Sequence, residues 1–172
     1  MRVIGVDPGY DKFGVAIIDN KNGKDELIFS DCVRTSAKLE FNERLYLIGK
    51  EFQSLIEKFK PEALAIEKLF FTTNQKTAMG VSETKGMATY IAKSNGLDVF
   101  EFTPLQMKTA VVGYGKAEKS QVSKMIPFLI KNWKELDKKR VEDDEYDAIG
   151  MAITCTATTI SLKRLAKNKQ VC

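Results

Sequence analysis

Apolar runs alternate along the chain with apolar residues at helical spacing, which predicts an alternation of strands and helices. Five short runs predict strands at residues 2–7, 13–19, 27–35, 63–67 and 98–102. Helical spacing predicts helices at residues 41–59, 75–95, 104–112, 117–133 and 143–165, the fourth kinked or divided near Pro127. Three hairpin-compatible strands precede a strand–helix–strand unit, so we expect an α/β fold with a mixed five-stranded sheet flanked by helices.

The pattern contains neither an internal repeat nor an interdomain linker, so it predicts one domain. We place this domain at residues 1–165, followed by a basic tail at residues 166–172 that we expect to fray. The 172 residues are 44% hydrophobic and 29% charged, which is typical of a globular chain that buries a substantial core.

The net charge and the cysteines bear on the possible partner and on the cellular location of the protein. The net charge of +4 is compatible with a nucleic-acid partner but does not select one. The three cysteines, Cys32, Cys155 and Cys172, match neither a disulfide framework nor a zinc site. We interpret them as reduced residues of a cytosolic protein. The sequence shows no signal peptide and no apolar run of membrane-spanning length, so we expect a cytoplasmic location.

Acidic residues interrupt the apolar runs at three places where burial is expected. Asp7 ends the first strand, Glu67 ends the fourth, and Asp144 and Asp147 lead into the apolar part of the last helix. A carboxylate beside a core is costly unless it is paired or binds a metal. The first two acids stand at C-terminal strand ends, where ligand sites of α/β sheets gather, and the last two share one helix face. We therefore predict that all four carboxylates converge.

The absence of histidine defines the chemistry of such a cluster. With no imidazole in the chain, what remains is an all-oxygen site, which suits Mg2+ or Mn2+. Four close carboxylates repel one another, and two divalent ions about 3.5–4 Å apart would neutralise them and activate water toward a phosphodiester. The sequence therefore predicts a metal-dependent enzyme that acts on phosphate esters.

Each acid also has a simpler explanation. Asp7 could begin a turn, and Glu67 could form a surface ion pair with the lysine that follows it. Asp144 and Asp147 could serve the start of the last helix, with Asp143 as its N-cap. These explanations stay open residue by residue, but they do not account for the occurrence of all four acids in this order.

Five stretches of the chain carry a family resemblance. They are residues 4–9 (IGVDPG), 65–67 (AIE), 111–115 (VVGYG), 117–122 (AEKSQV) and 144–148 (DEYDA). In these stretches the chain resembles the RuvC family of Holliday-junction resolvases, over nearly its whole length. Asp-x-Gly after a first strand also occurs in other RNase H-like proteins and in actin-like ATPases, so the specific part is AEKSQ beside the late acidic pair.

The resemblance implies an RNase H-like fold, a homodimer, and Mg2+-dependent nicking of two opposed strands of a four-way DNA junction. It implies that Asp7, Glu67, Asp144 and Asp147 are both the catalytic acids and the metal ligands, with two Mg2+ ions per site that Mn2+ can replace. It also implies a branch-migration motor complex of the RuvA and RuvB type as a partner.

The resemblance further assigns roles to basic and aromatic residues. Lys108 and Lys119 fall on two catalytically important lysines of the family, and Phe70 falls on an aromatic that stacks at the opened junction. Phe70 and Phe71 follow the second acid in a predicted loop and offer stacking surfaces for unpaired bases. The alternative is that they anchor the loop to the core. Family members usually carry a neutral residue directly after the second acid, whereas this chain carries Lys68, so junction contacts can differ.

Basic residues are concentrated in one part of the chain. Residues 103–140 contain nine basic and three acidic side chains, an excess that can bind phosphates through counterion release. A solvated helix face is the alternative explanation. Lys119 stands near the start of a helix after a Gly-rich break, where backbone amides also suit phosphate. Lys116 and Lys85 are further candidate DNA contacts.

The predicted second helix is rich in small residues, including Gly80 and Gly86. Each glycine costs about 1 kcal/mol inside a helix relative to alanine, which indicates close approach of another backbone. Internal packing on the sheet is one explanation. The resemblance favours a symmetric dimer interface that includes Met79, Met87 and Tyr90, and two-fold symmetry matches two opposed scissile strands.

Three functions remain to be distinguished. The first is a junction-resolving endonuclease that leaves a 5′-phosphate and a 3′-hydroxyl, with Lys119 and Lys108 stabilising the developing charge. The second is an RNase H-like nuclease for another nucleic acid, such as a structured RNA, and substrate shape separates the two. The third is a non-catalytic junction-binding module, which has no need of a costly carboxylate cluster. The chain is too short for an actin-like ATPase, which needs a second, duplicated domain.

Overall fold

The computed structural model describes residues 1–69, 75–136 and 141–169, with the backbone alone for 75–77 and 163–169. The strands are β1 (Arg2–Pro8), β2 (Lys12–Lys21), β3 (Lys24–Arg34), β4 (Ala63–Glu67) and β5 (Asp98–Phe102). The helices are α1 (Phe41–Phe59), α2 (Gln75–Ser94), α3 (Pro104–Val112), α4 (Lys119–Leu129) and α5 (Asp143–Lys169), with a short 3-10 helix at Trp133–Glu135.

The five strands form one mixed sheet in the order β3-β2-β1-β4-β5. β2 pairs antiparallel with β1 and with β3, whereas β4 runs parallel to both β1 and β5. The α/β architecture with a mixed five-stranded sheet is therefore confirmed. The tight connection between β2 and β3 is set by Asn22 and Gly23, which both take positive φ angles, as a two-residue hairpin turn requires.

Helices cover both faces of the sheet because strand side chains alternate between the faces. Ile4, Val6 and Ile66 point to one face, where they pack with residues of α1 and α2. Val3 and Ala65 point to the other face, where they pack with residues of α3, α4 and α5. The site-bearing strand ends therefore lie between two separate apolar layers, which fix the sheet from both sides.

The fourth helix differs from its prediction at both ends. The fourth helix begins at Lys119 rather than at residue 117, since the Glu118 amide donates a hydrogen bond to the Gln121 side chain, at 2.8 Å, just before the first turn. It ends at Leu129, two residues after Pro127, so this proline occupies the last turn and divides nothing.

The last helix continues past its predicted end at residue 165. Its backbone is helical to Lys169, so residues 166–169 of the predicted tail extend the helix, while 170–172 lie outside the described residues. None of the helices in the described part of the chain combines the length and apolarity that crossing a bilayer requires.

Candidate active site

Parallel pairing of β1 with β4 brings the first two predicted acids to one edge of the sheet. Val6 pairs with Ile66, so Asp7 and Glu67 follow on neighbouring strands at their C-terminal ends. Both acids continue the alternation of residues that face α5, since Ala65 and the other small residues of that face belong to the α5-side core. The two carboxylates therefore emerge side by side, under the start of α5.

Two glycines let α5 lie directly on the sheet at this point. A Cβ atom at Gly5 would stand 2.1 Å from the carbonyl oxygen of Ala148, and one at Gly14 would stand 2.1 Å from the carbonyl oxygen of Asp144. Real Cβ atoms do not come so close to backbone oxygens, so the helix reaches this depth only above glycine. Gly14 pairs with Asp7 across β1 and β2, so the backbone of Asp144 lies beside the first acid.

The first turn of α5 is held by a buried side chain between the two late acids. Glu145 is 5% exposed. It accepts hydrogen bonds from the Ser30 hydroxyl at 2.8 Å and from the Glu142 amide at 3.3 Å. Glu142, and not Asp143, therefore precedes the first helical residue, and the expected cap at Asp143 is wrong. With Glu145 anchored toward β3, the acidic first turn of α5 is held at the edge of the sheet that carries Asp7.

The other three acids act electrostatically on Asp7. The pKa of Asp7 rises from its ordinary 3.8 to about 7, chiefly because burial disfavours its charged form. Repulsion from Asp147, Glu67 and Asp144 raises this pKa further, while Lys119 lowers it. These long-range effects require proximity, and they show that the site carries more negative charge than its surroundings neutralise.

The second acid is perturbed in the same direction. The pKa of Glu67 lies above its ordinary value because of burial and, next, because of Asp147. Lys119 and Lys85 act in the opposite sense on this carboxyl. The absence of an ion pair between Glu67 and the adjacent lysine among the described contacts disfavours the surface-pair explanation for this acid.

Lys119 makes the shorter of two contacts between described basic residues and the four acids. It occupies the first position of α4, and its ammonium donates a hydrogen bond to Asp147 Oδ2 at 2.8 Å. This bond is the main reason that the pKa of Lys119 lies above its ordinary value. The side chain remains 70% exposed, so it can reach a ligand as well as the acid.

Lys12 joins the site although no motif in the sequence pointed to it. Its ammonium lies 3.8 Å from Asp144 Oδ2 and 3.8 Å from Glu142 Oε2. Only its position in the sequence could have indicated that Lys12 belongs to the site. Lys12 opens β2 directly after the turn that follows Asp7, and an antiparallel neighbour returns to the same edge of the sheet.

The other predicted basic residues are more scattered. Lys108 is partly buried on α3, and Lys116 is exposed in the segment before α4. Lys85 on α2 is 15% exposed and pairs with Glu101 at 2.9 Å. Its ammonium is directed to the end of β5 rather than to open solvent, so its predicted DNA contact would require that this pair opens.

The structure describes the predicted dimer face but not the predicted aromatic contacts. Phe70 and Phe71 lie outside the described residues. On α2, Met79 and Tyr90 are 64% and 74% exposed. Met87 instead packs against α1, where its sulfur would stand 3.1 Å from a Cβ at Gly49. The predicted interface therefore has two exposed apolar side chains and one that mainly joins α2 to α1.

The two glycines of α2 have different surroundings. A Cβ at Gly80 would meet the ring of Tyr10 at 2.8 Å, whereas one at Gly86 would meet no atom within 4 Å. Internal packing therefore explains Gly80. It does not explain Gly86, which stays compatible with the predicted approach of a second chain.

One of the four acids, Asp144, also belongs to a different group of possible metal ligands. Among the described residues, ligand atoms of Cys32, Glu142 and Asp144 lie within 4.8 Å of one another. Burial raises the pKa of the Cys32 thiol to about 11, and Lys12 pairs with both carboxylates. A protonated thiol and a lysine-neutralised pair of acids make this group a poorer metal site than the edge at Asp7, where negative charge is in excess.

Comparisons with known proteins find relatives over nearly the whole chain. The family model described as crossover junction endodeoxyribonuclease RuvC matches residues 3–155. Proteins named crossover junction endodeoxyribonuclease RuvC from Caldanaerobacter subterraneus subsp. tengcongensis and Alkaliphilus metalliredigens are each 39% identical to the chain. The first match covers 96% of this chain and 98% of the relative, and the second covers 98% and 100%.

Solved structures extend the comparison to the fold. The structure described as T. thermophilus RuvC in complex with Holliday junction substrate superposes with a TM-score of 0.83 at 28% identity, covering 94% of this chain and 96% of that one. The yeast mitochondrial Holliday junction resolvase Ydc2 shares the fold with a TM-score of 0.74 at 21% identity, covering 99% of this chain and 84% of that one.

Proposed function

Because the chain belongs to the crossover junction endodeoxyribonuclease RuvC family, we propose that it resolves four-way DNA junctions by paired, symmetric hydrolysis of two phosphodiesters. The observation that carries the proposal is the meeting of Asp7 and Glu67 with the acidic turn of α5, in a chain that matches the family from residue 3 to residue 155. The T. thermophilus relative, whose structure is similar over 94% of this chain, is described with a Holliday junction substrate.

The donor set fits Mg2+ or Mn2+. Carboxylate oxygens are the ligands that these hard cations prefer, and the raised pKa values of Asp7 and Glu67 reveal negative charge that a divalent cation would stabilise. We assign Asp7, Glu67, Asp144 and Asp147 as the ligands. When bound, such a cation supplies Lewis-acid polarisation of the phosphate and promotes deprotonation of the attacking water.

The side chains of the chain itself then position and stabilise the phosphate. Lys119 stands at the first turn of α4, where its charge and the positive end of the helix dipole both favour an anion. We propose that it moves from Asp147 toward the scissile phosphate and stabilises the charge that develops there. Lys108 supports the same charge from α3. Cleavage would leave a 5′-phosphate and a 3′-hydroxyl.

The same proposal extends to the wider DNA surface and to partners. Phe70 and Phe71 would stack on unpaired bases, and Lys85 and Lys116 would contact phosphates. A homodimer that uses the exposed face of α2 would present two sites to opposed strands. A RuvA and RuvB type motor is the proposed partner complex. The buried, unpaired thiols of the described cysteines accord with a reducing, cytoplasmic location.

A cleavage assay tests the proposal directly. Purified protein is incubated with Mg2+ and an end-labelled mobile four-way junction, beside a linear duplex of the same sequence and an Asp7→Asn control. We expect paired symmetric nicks in the junction alone, which are absent from the control. Junction binding without cleavage would replace the proposal with a binding module. Cleavage of RNA or a hybrid in place of the junction would replace it with another RNase H-like nuclease.

A further inference from the structure

The turn between β1 and β2 connects two residues of the site. Asp7 lies near the end of β1 and Lys12 opens β2, so only a few residues at the turn separate a proposed metal ligand from the lysine that contacts Asp144. The turn is tight: the Gly9 amide donates to the Asp7 carbonyl at 3.0 Å. A Cβ at Gly9 would stand 2.2 Å from the Lys12 carbonyl oxygen. Any displacement of this turn therefore moves both residues.

A buried arginine from α1 holds this turn from the side opposite to α5. Arg44 is 7% exposed, and its guanidinium donates to the carbonyl of Tyr10 at 3.2 Å and to the carboxylate of Asp11. Its Nε donates to the Thr35 hydroxyl at 2.9 Å, and that hydroxyl donates in turn to the Tyr10 carbonyl at 2.6 Å. One guanidinium thus ties the turn to α1 and to the end of β3.

The ring of Tyr10 completes the contact. The Arg44 guanidinium lies 4.9 Å from the ring centroid, and the ring of Phe41 meets it edge-on at 5.5 Å. On the remaining side the ring touches α2 at Gly80, where a Cβ would stand only 2.8 Å away. The turn is therefore packed against two helices, while its flanking residues face a third.

We propose that Arg44 and Thr35 are positioning residues of the catalytic site, which act by fixing the turn that carries Asp7 and Lys12 at its two ends. This inference rests on the proposed junction-cleaving function. Neither residue touches the acids. A guanidinium buried with three partners, all on or beside one turn, has no other visible task in the described structure than to hold that turn. Supporting contacts of this kind typically contribute 10–100-fold to metal affinity or activity.

The alternative is that Arg44 contributes to stability alone, and Arg2 provides a matched control. Arg2 also bridges β1 and α1, donating to the Phe59 carbonyl at 2.7 Å and to Asp19 at 3.1 Å. Arg2 lies at the end of β1 far from the turn, and it contacts the C-terminal end of α1, whereas Arg44 lies near the N-terminal end of α1. Loss of Arg2 therefore destabilises the same packing without reaching the turn.

The experiment compares Arg44→Gln and Thr35→Val with Arg2→Gln and Thr35→Ser in the full-length protein. Three quantities are measured for each: Mn2+ affinity by calorimetry, single-turnover junction cleavage at saturating protein, and the midpoint of thermal unfolding. We expect Arg44→Gln and Thr35→Val to weaken Mn2+ binding and slow cleavage roughly 10–100-fold, with junction affinity changed less than about twofold. Thr35→Ser, which keeps the hydroxyl, should retain wild-type values.

The control separates positioning from stability. We expect Arg2→Gln to lower the unfolding midpoint but to leave Mn2+ affinity and the cleavage rate near wild type. If Arg44→Gln and Thr35→Val lower only the unfolding midpoint, as Arg2→Gln does, the proposed positioning role is wrong. If the wild type cleaves no junction, the proposed function fails, and the Mn2+ affinities alone still decide whether Arg44 orders the site.

Discussion

Replacing Asp7 with asparagine should stabilise the metal-free protein at neutral pH while abolishing cleavage. Asp7 lies on β1 beneath the start of α5, where burial and the negative charges of three other acids raise its pKa to about 7. The wild type therefore retains a group that resists ionisation in the folded state. Asparagine has nearly the same shape and no charge, so it removes this conflict together with a proposed metal ligand.

The magnitude follows from linkage between protonation and folding. The folded pKa of Asp7, about 7, exceeds its ordinary value of 3.8. The contribution of Asp7 to the free energy of unfolding is therefore fully present below pH 4 and is lost as the pH rises to 7. At 1.36 kcal/mol per pKa unit, the loss reaches about 4 kcal/mol above pH 7. A buried amide left short of a partner costs about 1–3 kcal/mol. We expect a net gain of about 1–3 kcal/mol for the variant at pH 8, or roughly 2–12 °C in the unfolding midpoint.

Thermal or urea unfolding of both proteins, at pH 5 and pH 8 with a chelator present, measures this effect. Protein concentration must be equal in all samples, because a dimer makes the midpoint depend on concentration. The advantage of Asp7→Asn should grow from pH 5 to pH 8. Added Mn2+ should then stabilise the wild type more than the variant, and so reverse part of the difference.

The reasoning would be refuted by a variant that is less stable than the wild type at pH 8 in chelator. Such a result would mean that the Asp7 carboxylate already has a sufficient partner in the folded chain. A stability difference that does not change between pH 5 and pH 8 would also contradict the raised pKa. Either result would remove the electrostatic argument for a cation at this edge of the sheet.

Three further predictions test other parts of the site. Lys119→Met should slow single-turnover cleavage about 100-fold with little loss of junction binding, which filter binding and quenched-flow assays measure, since one developing-charge contact is lost. Gly14→Ala should lower the unfolding free energy by about 3 kcal/mol in urea, because the new Cβ meets the Asp144 carbonyl at 2.1 Å. Gly86→Ala should raise the unfolding midpoint, with up to about 1 kcal/mol of added helix propensity, but weaken the dimer in sedimentation experiments. Unchanged dimer affinity would place the interface elsewhere.

Local patterns were sufficient to predict the elements of this fold. Four elements have the predicted bounds, namely α1, α3, β4 and β5, because their apolar patterns are bounded by clear start or stop residues such as Pro61 and Pro104. The positions of the four acids at the ends of apolar runs could also be read from the sequence, and their role as metal ligands stays a prediction. Their convergence follows from strand order, which the strand–helix–strand pattern restricts to few arrangements.

Contacts between residues distant in sequence could not be predicted in the same way. Lys12 and Arg44 carry no motif, and their partners lie up to 132 positions away, as with Lys12 and Asp144. The fourth helix was predicted to begin two residues early, because its start depends on a hydrogen bond from the Glu118 amide to the Gln121 side chain, which apolar periodicity does not register. Such features depend on which groups the completed fold places side by side.

The packing beneath α5 explains why the acidic cluster keeps its excess charge. Carboxylates that repel one another can separate, become protonated, or take a counter-charge. Separation is blocked, since Gly5 and Gly14 bring the helix into direct contact with the sheet, and Ala148 and Ala152 pack there without room to slide. Protonation and a counter-charge remain. The raised pKa of Asp7 corresponds to the first, and the hydrogen bond from Lys119 to Asp147 corresponds to the second. A rigid core therefore holds the four acids at one edge of the sheet, where the proposed cation would offset their charge.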